Sequence, residues 1–151
     1  MKFLVIGDGS IEVSTLSVDK MQDIICKNLR KNEKNIFFFF TGAGFSGVCR
    51  SIIMTIKAKG YDVNNILVGT DIKDSNAGIF NDLMYYDNIL FCNDIIYNCT
   101  SRLDMYRSML DKCDCLVVMS RYDKSDQVSR AIDYAVIQNK RIINLLDQRE
   151  K

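Results

Sequence analysis

The sequence predicts a three-layer α/β fold, a mostly parallel sheet of five to six strands with helices on both faces. Two observations predict it. Apolar runs of strand length alternate with segments whose apolar residues recur at helical spacing, and β-α-β-α order of this kind folds into a parallel sheet. The runs "KFLVIG", "IFFFF", "NILVGT" and "CLVVM" are also apolar throughout. Strands that keep water off both faces read this way, whereas half-exposed strands alternate.

Each element follows in order. "KFLVIG" (Lys2 to Gly7) is a first strand, and Met21, Ile24, Ile25 and Leu29 mark a helix over roughly Val18 to Lys31. "IFFFF" is a second strand. Cys49, Ile52, Ile53 and Ile56 mark a second helix that stops near Gly60. Asn65 to Thr70 is a third strand, Asp71 to Asn88 a long loop, and Asn88 to Cys92 a fourth strand. Leu103, Tyr106 and Leu110 give a helix, with Ser101 and Asp104 as a partial capping box. "CLVVM" is a buried strand, Val128, Ala131, Ile132 and Ala135 form a last helix face, and Arg141 to Leu146 closes as a strand.

Composition narrows the function classes. A chain of 151 residues with no repeat and no linker reads as one domain, residues 1–151. Its 48% apolar and 26% charged residues are ordinary for a globular protein. The formal net charge of +1 gives no overall pull toward nucleic acid or membrane. Six cysteines without C-x-x-C, most of them in apolar segments, read as reduced thiols of a cytoplasmic protein. "MKFLVIG" reads as a strand rather than a secretory leader. The chain has no histidine, which disfavours a zinc site and leaves acid–base work to other side chains.

The stretch that bears on function is Thr41-Gly42-Ala43-Gly44-Phe45-Ser46-Gly47, a G-x-G-x-x-G pattern between a strand and a helix. Glycines let the backbone approach a ligand, and the N–H groups at the start of the following helix attract an anion such as phosphate. A tight turn of small residues is the plainer alternative. In a parallel sheet, ligands bind beyond the carboxyl ends of strands, near the switch in strand order. There the glycine loop is expected to meet Gly7, Asp8, Gly9 and Ser10 after the first strand, and Ser120, Arg121 and Tyr122 after "CLVVM". Asp71 stands where a dinucleotide fold keeps its ribose-binding acid, so NAD is one candidate ligand. No cofactor is identified by the sequence itself. Arg102, Arg107 and Arg121 carry forks suited to phosphate, and Tyr122 carries a ring suited to a base.

Most of the chain resembles the SLOG superfamily, which includes the cytokinin-activating phosphoribohydrolases and DNA-processing Rossmann-like domains. The residues that carry the likeness are "TGAGFSGV" after the second strand, "MLDKCDCLVVM", Tyr134-Ala135, and Asn139-Lys140 before the last strand. Nucleoside 2-deoxyribosyltransferases have a similar sheet and final helix. The resemblance implies a Rossmann-like fold, a nucleotide or nucleotide-derived ligand, and a homodimer. Phosphoribohydrolases carry a second loop of the form P-G-G-x-G-T-x-x-E, with a catalytic Glu. The matching "SRYDKSDQVSRAID" has no glycine, and Arg130 or Ala131 stands where that Glu belongs. Ligand binding is therefore the leading expectation. The enzyme alternative is an N-glycosidic hydrolase or transferase, whose carboxylate would be Asp8 or Asp126; Asp126 also suits a helix N-cap. A protein-interaction module with a purely structural glycine loop is the third reading.

Overall fold

The computed structural model describes residues 1–7, 15–30, 32–40, 45–69, 86–91, 102–120 and 126–146. Among these residues there are six strands, β1 (Lys2–Gly7), β2 (Asn35–Phe40), β3 (Val63–Gly69), β4 (Asn88–Phe91), β5 (Cys115–Met119) and β6 (Arg141–Asn144). The helices are α1 (Thr15–Asn28), α2 (Phe45–Ala58), α3 (Arg102–Lys112) and α4 (Gln127–Ile137). The strands form one sheet in the order β4-β3-β2-β1-β5-β6. Every pairing among the described residues is parallel, so the expected α/β architecture is present.

Successive side chains of a strand point to opposite faces, and here both faces are covered. Phe3, Val5, Phe37 and Phe39 pack with Met21 and Ile25 of α1 and with Cys49, Ile53 and Ile56 of α2. Leu4, Ile6, Phe38 and Phe40 pack with Met109 and Leu110 of α3 and with Ala131 and Ala135 of α4. This is why "IFFFF" does not alternate. Its phenylalanines fill two cores, and burying each is worth about 1.5–3 kcal/mol. Phe3 and Phe37, partners in the β1–β2 register, stack with ring centroids 4.4 Å apart. Phe40 meets Tyr106 edge-on at 5.2 Å.

The edge at the N-terminal ends of the strands is closed by short polar side chains. Asp114, just before β5, accepts the Lys2 N–H at 2.8 Å through Oδ2. Its own N–H donates to the Lys2 carbonyl at 2.8 Å. Asp87, just before β4, treats Asn65 of β3 in the same way, at 2.8 Å through its carboxylate and 2.9 Å through its N–H. Buried Asn35, the first residue of β2, donates to the carbonyls of Arg30, Glu33 and Asp62 at 3.1–3.3 Å. Main-chain groups at a strand start lack a ladder partner on one side, and these side chains supply it.

Some boundaries differ from the sequence expectation. α1 begins at Thr15 rather than near Val18 and ends at Asn28. β6 stops at Asn144 rather than Leu146, because the Asn144 Oδ1 accepts the Leu146 N–H at 3.2 Å and turns the chain out of the sheet. Gly60, at φ 100°, ends α2 where expected. Ser101 of the proposed capping box and the loop from Asp71 to Tyr85 lie outside the described residues. Cys26, Cys49, Cys113 and Cys115 are free thiols. Among the described residues no helix is long and apolar enough to cross a membrane.

Candidate functional site

Strand order reverses at β1. The chain builds outward through β2, β3 and β4 on one side of it, then returns to place β5 and β6 on the other. The switch point therefore lies between β1 and β5, where Gly7 pairs with Met119. A crevice for a ligand opens outside the carboxyl ends of the strands at such a point, because the helices on the two sides lie on opposite faces of the sheet. Gly7 ends β1 and Ser120 follows β5, so the structure brings these two expected site residues to neighbouring positions at the switch.

The start of α2 is fixed to the same place. Phe45 is the first residue of α2 and is 2% exposed. A Cβ built at Gly7 would stand 2.6 Å from Phe45 Cβ, closer than real side chains approach. Gly7 is glycine because the Phe45 side chain needs its space. This contact holds the first turn of α2, with Ser46 and Gly47, above the end of β1. The first N–H groups of a helix have no partner within it, and their partial positive charge points outward. The Phe45 ring belongs to the core under α1 and α2. What Phe45 offers the crevice is its main chain.

Gly47 differs from the last glycine of a dinucleotide fingerprint, which permits close helix–strand packing. No heavy atom lies within 4 Å of a Cβ built at Gly47, so packing gives no reason for glycine there. In this chain the close approach of helix to strand is made at Gly7.

Ser120 is fully buried. Its N–H donates to Asn144 Oδ1 at 3.2 Å, and its carbonyl accepts from Asn144 Nδ2 at 2.9 Å. Asn144 thus grips the main chain where β5 leaves the sheet and fixes the floor of the crevice. The sequence reading passed over it. Its signal was one amide inside the apolar run "RIINLL".

Asp126 is the N-cap of α4, with φ −94° and ψ 161°. Its Oδ1 accepts the Ser129 N–H at 2.6 Å, the capping role its position suggested. Arg107 sits on the seam between α3 and α4. Its guanidinium lies 5.7 Å from the centroid of the Tyr134 ring, and the Tyr134 hydroxyl donates to Asp111 at 2.5 Å. That bond to the carboxylate raises the Tyr134 phenol above its ordinary value. The buried Arg107 Nε has no hydrogen-bond partner. Arg107 stands five residues, about 7.5 Å, down α3 from its N-terminus. The side chain of Arg102, and all of Asp8, Gly9, Ser10, Thr41, Gly42, Ala43, Gly44, Asp71, Arg121 and Tyr122, lie outside the described residues. A scan against protein-family models finds no match, and neither does a search of curated proteins.

Proposed function

We propose that this protein binds a nucleotide or nucleotide-derived small molecule in the crevice between β1 and β5, with the ligand's phosphate at the glycine loop and the first turn of α2. The carrying observation is the Gly7–Phe45 contact. It fixes a helix N-terminus, the natural seat of an anion, at the switch point of a parallel sheet. The clearance around Gly47 supports the same reading, since it leaves the main chain of that turn approachable. On this reading the domain is SLOG-like, the sugar and base lie against the segments that follow β1 and β5, and the protein is a homodimer.

The test separates affinity from stability. Gly47→Asp places a carboxylate in the first turn of α2, where space is open. A negative charge there complements the helix dipole but repels a phosphate. Ligand at a hundredfold its Kd adds about 2.7 kcal/mol, roughly 5–10 °C of Tm in a domain of this size. A panel of nucleoside mono- and diphosphates and NAD is expected to contain at least one compound that shifts the wild type by this much. The Gly47→Asp variant should keep its own Tm and lose that shift. No shift with any compound, or an equal shift in the variant, refutes the proposal. Light scattering on the purified protein measures the subunit number.

A further inference from the structure

The edge opposite the crevice, at the N-terminal ends of the strands, carries a charge that composition hides. We define this edge as running from the last turn of each helix to the first residue of the following strand. Three of its basic residues, Lys27, Lys57 and Lys112, occupy helix last turns, where a cation complements the dipole. Six others do not: Lys2, Arg30, Lys34, Lys59, Lys140 and Arg141 belong to strand starts and connecting turns. Against these nine stand five acids among the described residues, Glu33, Asp62, Asp87, Asp111 and Asp114. Nine minus five is +4. Elsewhere among the described residues five basic residues face five acidic ones, a net of zero, so the described positive excess lies on this edge.

Most of the acids on this edge are already engaged. Asp114 accepts the Lys2 N–H, Asp87 holds Lys57 and the Asn65 N–H, Asp111 accepts the Tyr134 hydroxyl, and Glu33 pairs with Arg30 at 3.5 Å. Eight of the nine basic residues are exposed, and Lys140 is half-buried. Two shallow cavities lie side by side here and share Arg30. One, of about 640 Å³, is bordered by Lys140, Arg141 and Asp114. The other, of about 500 Å³, is bordered by Lys59, Asp62 and the half-buried Tyr61.

We propose that this edge is a docking track for single-stranded nucleic acid, held through its phosphates. Six parallel strands at about 4.8 Å spacing make an edge of about 24 Å, long enough for several successive phosphates of an extended strand. The guanidinium forks of Arg30 and Arg141 match phosphate oxygens two at a time. Tyr61 adds an aromatic side chain to one cavity wall, where an unpaired base can stack. A duplex keeps its bases out of reach of that ring, and an acidic peptide has no use for it.

Fluorescence anisotropy with a labelled oligothymidylate of about twelve nucleotides tests this, since single-strand sites span roughly 4–16 nucleotides. Log Kobs should fall against log salt with a slope of about −3, as expected for roughly four phosphates at −0.7 each. The Arg30→Ala/Lys140→Ala/Arg141→Ala variant should keep its circular dichroism and Tm. It should bind at least tenfold more weakly, with the slope reduced by about two. Tyr61→Leu should weaken binding at least fivefold. The proposal falls if no binding appears at low salt, or if the triple variant binds like the wild type. It also falls if polyglutamate displaces the oligonucleotide as well as unlabelled oligothymidylate does, which would assign the edge to acidic polypeptides.

Discussion

Gly7 carries more of the site's geometry than any other single residue. It sits at the end of β1, and the space its missing side chain leaves is filled by Phe45. A Gly7→Ala substitution must push α2 away from the strand or tilt the Phe45 ring, and overpacking of this kind costs about 1–3 kcal/mol. The cost should be much smaller in a Phe45→Ala background, where the clash is gone. Urea unfolding of the two single variants and the double variant measures this, and a coupling above about 0.5 kcal/mol is expected for residues in contact. Additive effects would separate Gly7 from Phe45. The sequence marked both positions as site residues but did not reveal that they pack on each other, since they are 38 residues apart. Asp126 was the opposite case. Its spacing before an apolar helical face identified the cap directly, and the structure places it there.

The elements show how a parallel sheet fixes its register. The acids Asp87 and Asp114 each bridge to a neighbouring strand with both the carboxylate and the main-chain N–H. Burial pushes the Asp87 carboxyl up, but the Lys57 ammonium at 2.8 Å and the Asn65 N–H outweigh it and hold the carboxyl below its ordinary 3.8. A carboxyl depressed in the folded state stabilises the protein above its unfolded value, and that contribution disappears as pH falls through the folded value. Stability of the wild type should therefore fall on acidification below about pH 4, and part of that fall should be missing in Asp87→Asn. The difference will be small, because both partners are substantially exposed and screened by water. Thermal unfolding of the two proteins at a series of pH values between neutral and the acid limb checks it. Equal acid limbs would mean that the bridge adds no stability. The sequence read Asp87 as part of an irregular loop, because a register lock depends on which strand lies alongside.

Across the whole molecule, the sheet couples two helical layers into one unit. Cys49 lies in the core beneath α1 and α2, and Cys113 in the core beneath α3 and α4. Burial raises the Cys49 thiol strongly and pushes the Cys113 and Cys115 thiols up to about 12. All three should resist alkylation at pH 8 in the native protein, since the thiolate is the reactive form. In rising urea, labelling of Cys49 and Cys113, mapped by mass spectrometry, should follow one common transition, as in a cooperative domain. Labelling of one layer well before the other would show that the sheet does not couple them. Charge is also organised at this scale. A net charge of +1 says nothing of where the charges lie. Strand starts and helix ends distant in sequence converge on one edge only after folding, and their basic residues collect there.

The sequence by itself determined the type, order and parallel pairing of the elements, because unbroken apolar strands are stable only with both faces covered. It also determined the cap of α4, which depends on neighbours within a few residues. Only the tertiary structure decided that the order reverses between β1 and β5, that Phe45 occupies the space above Gly7, that Asn144 grips Ser120, and that the basic residues share an edge. Those features join residues far apart along the chain, and local spacing carries no information about which distant segments pack together.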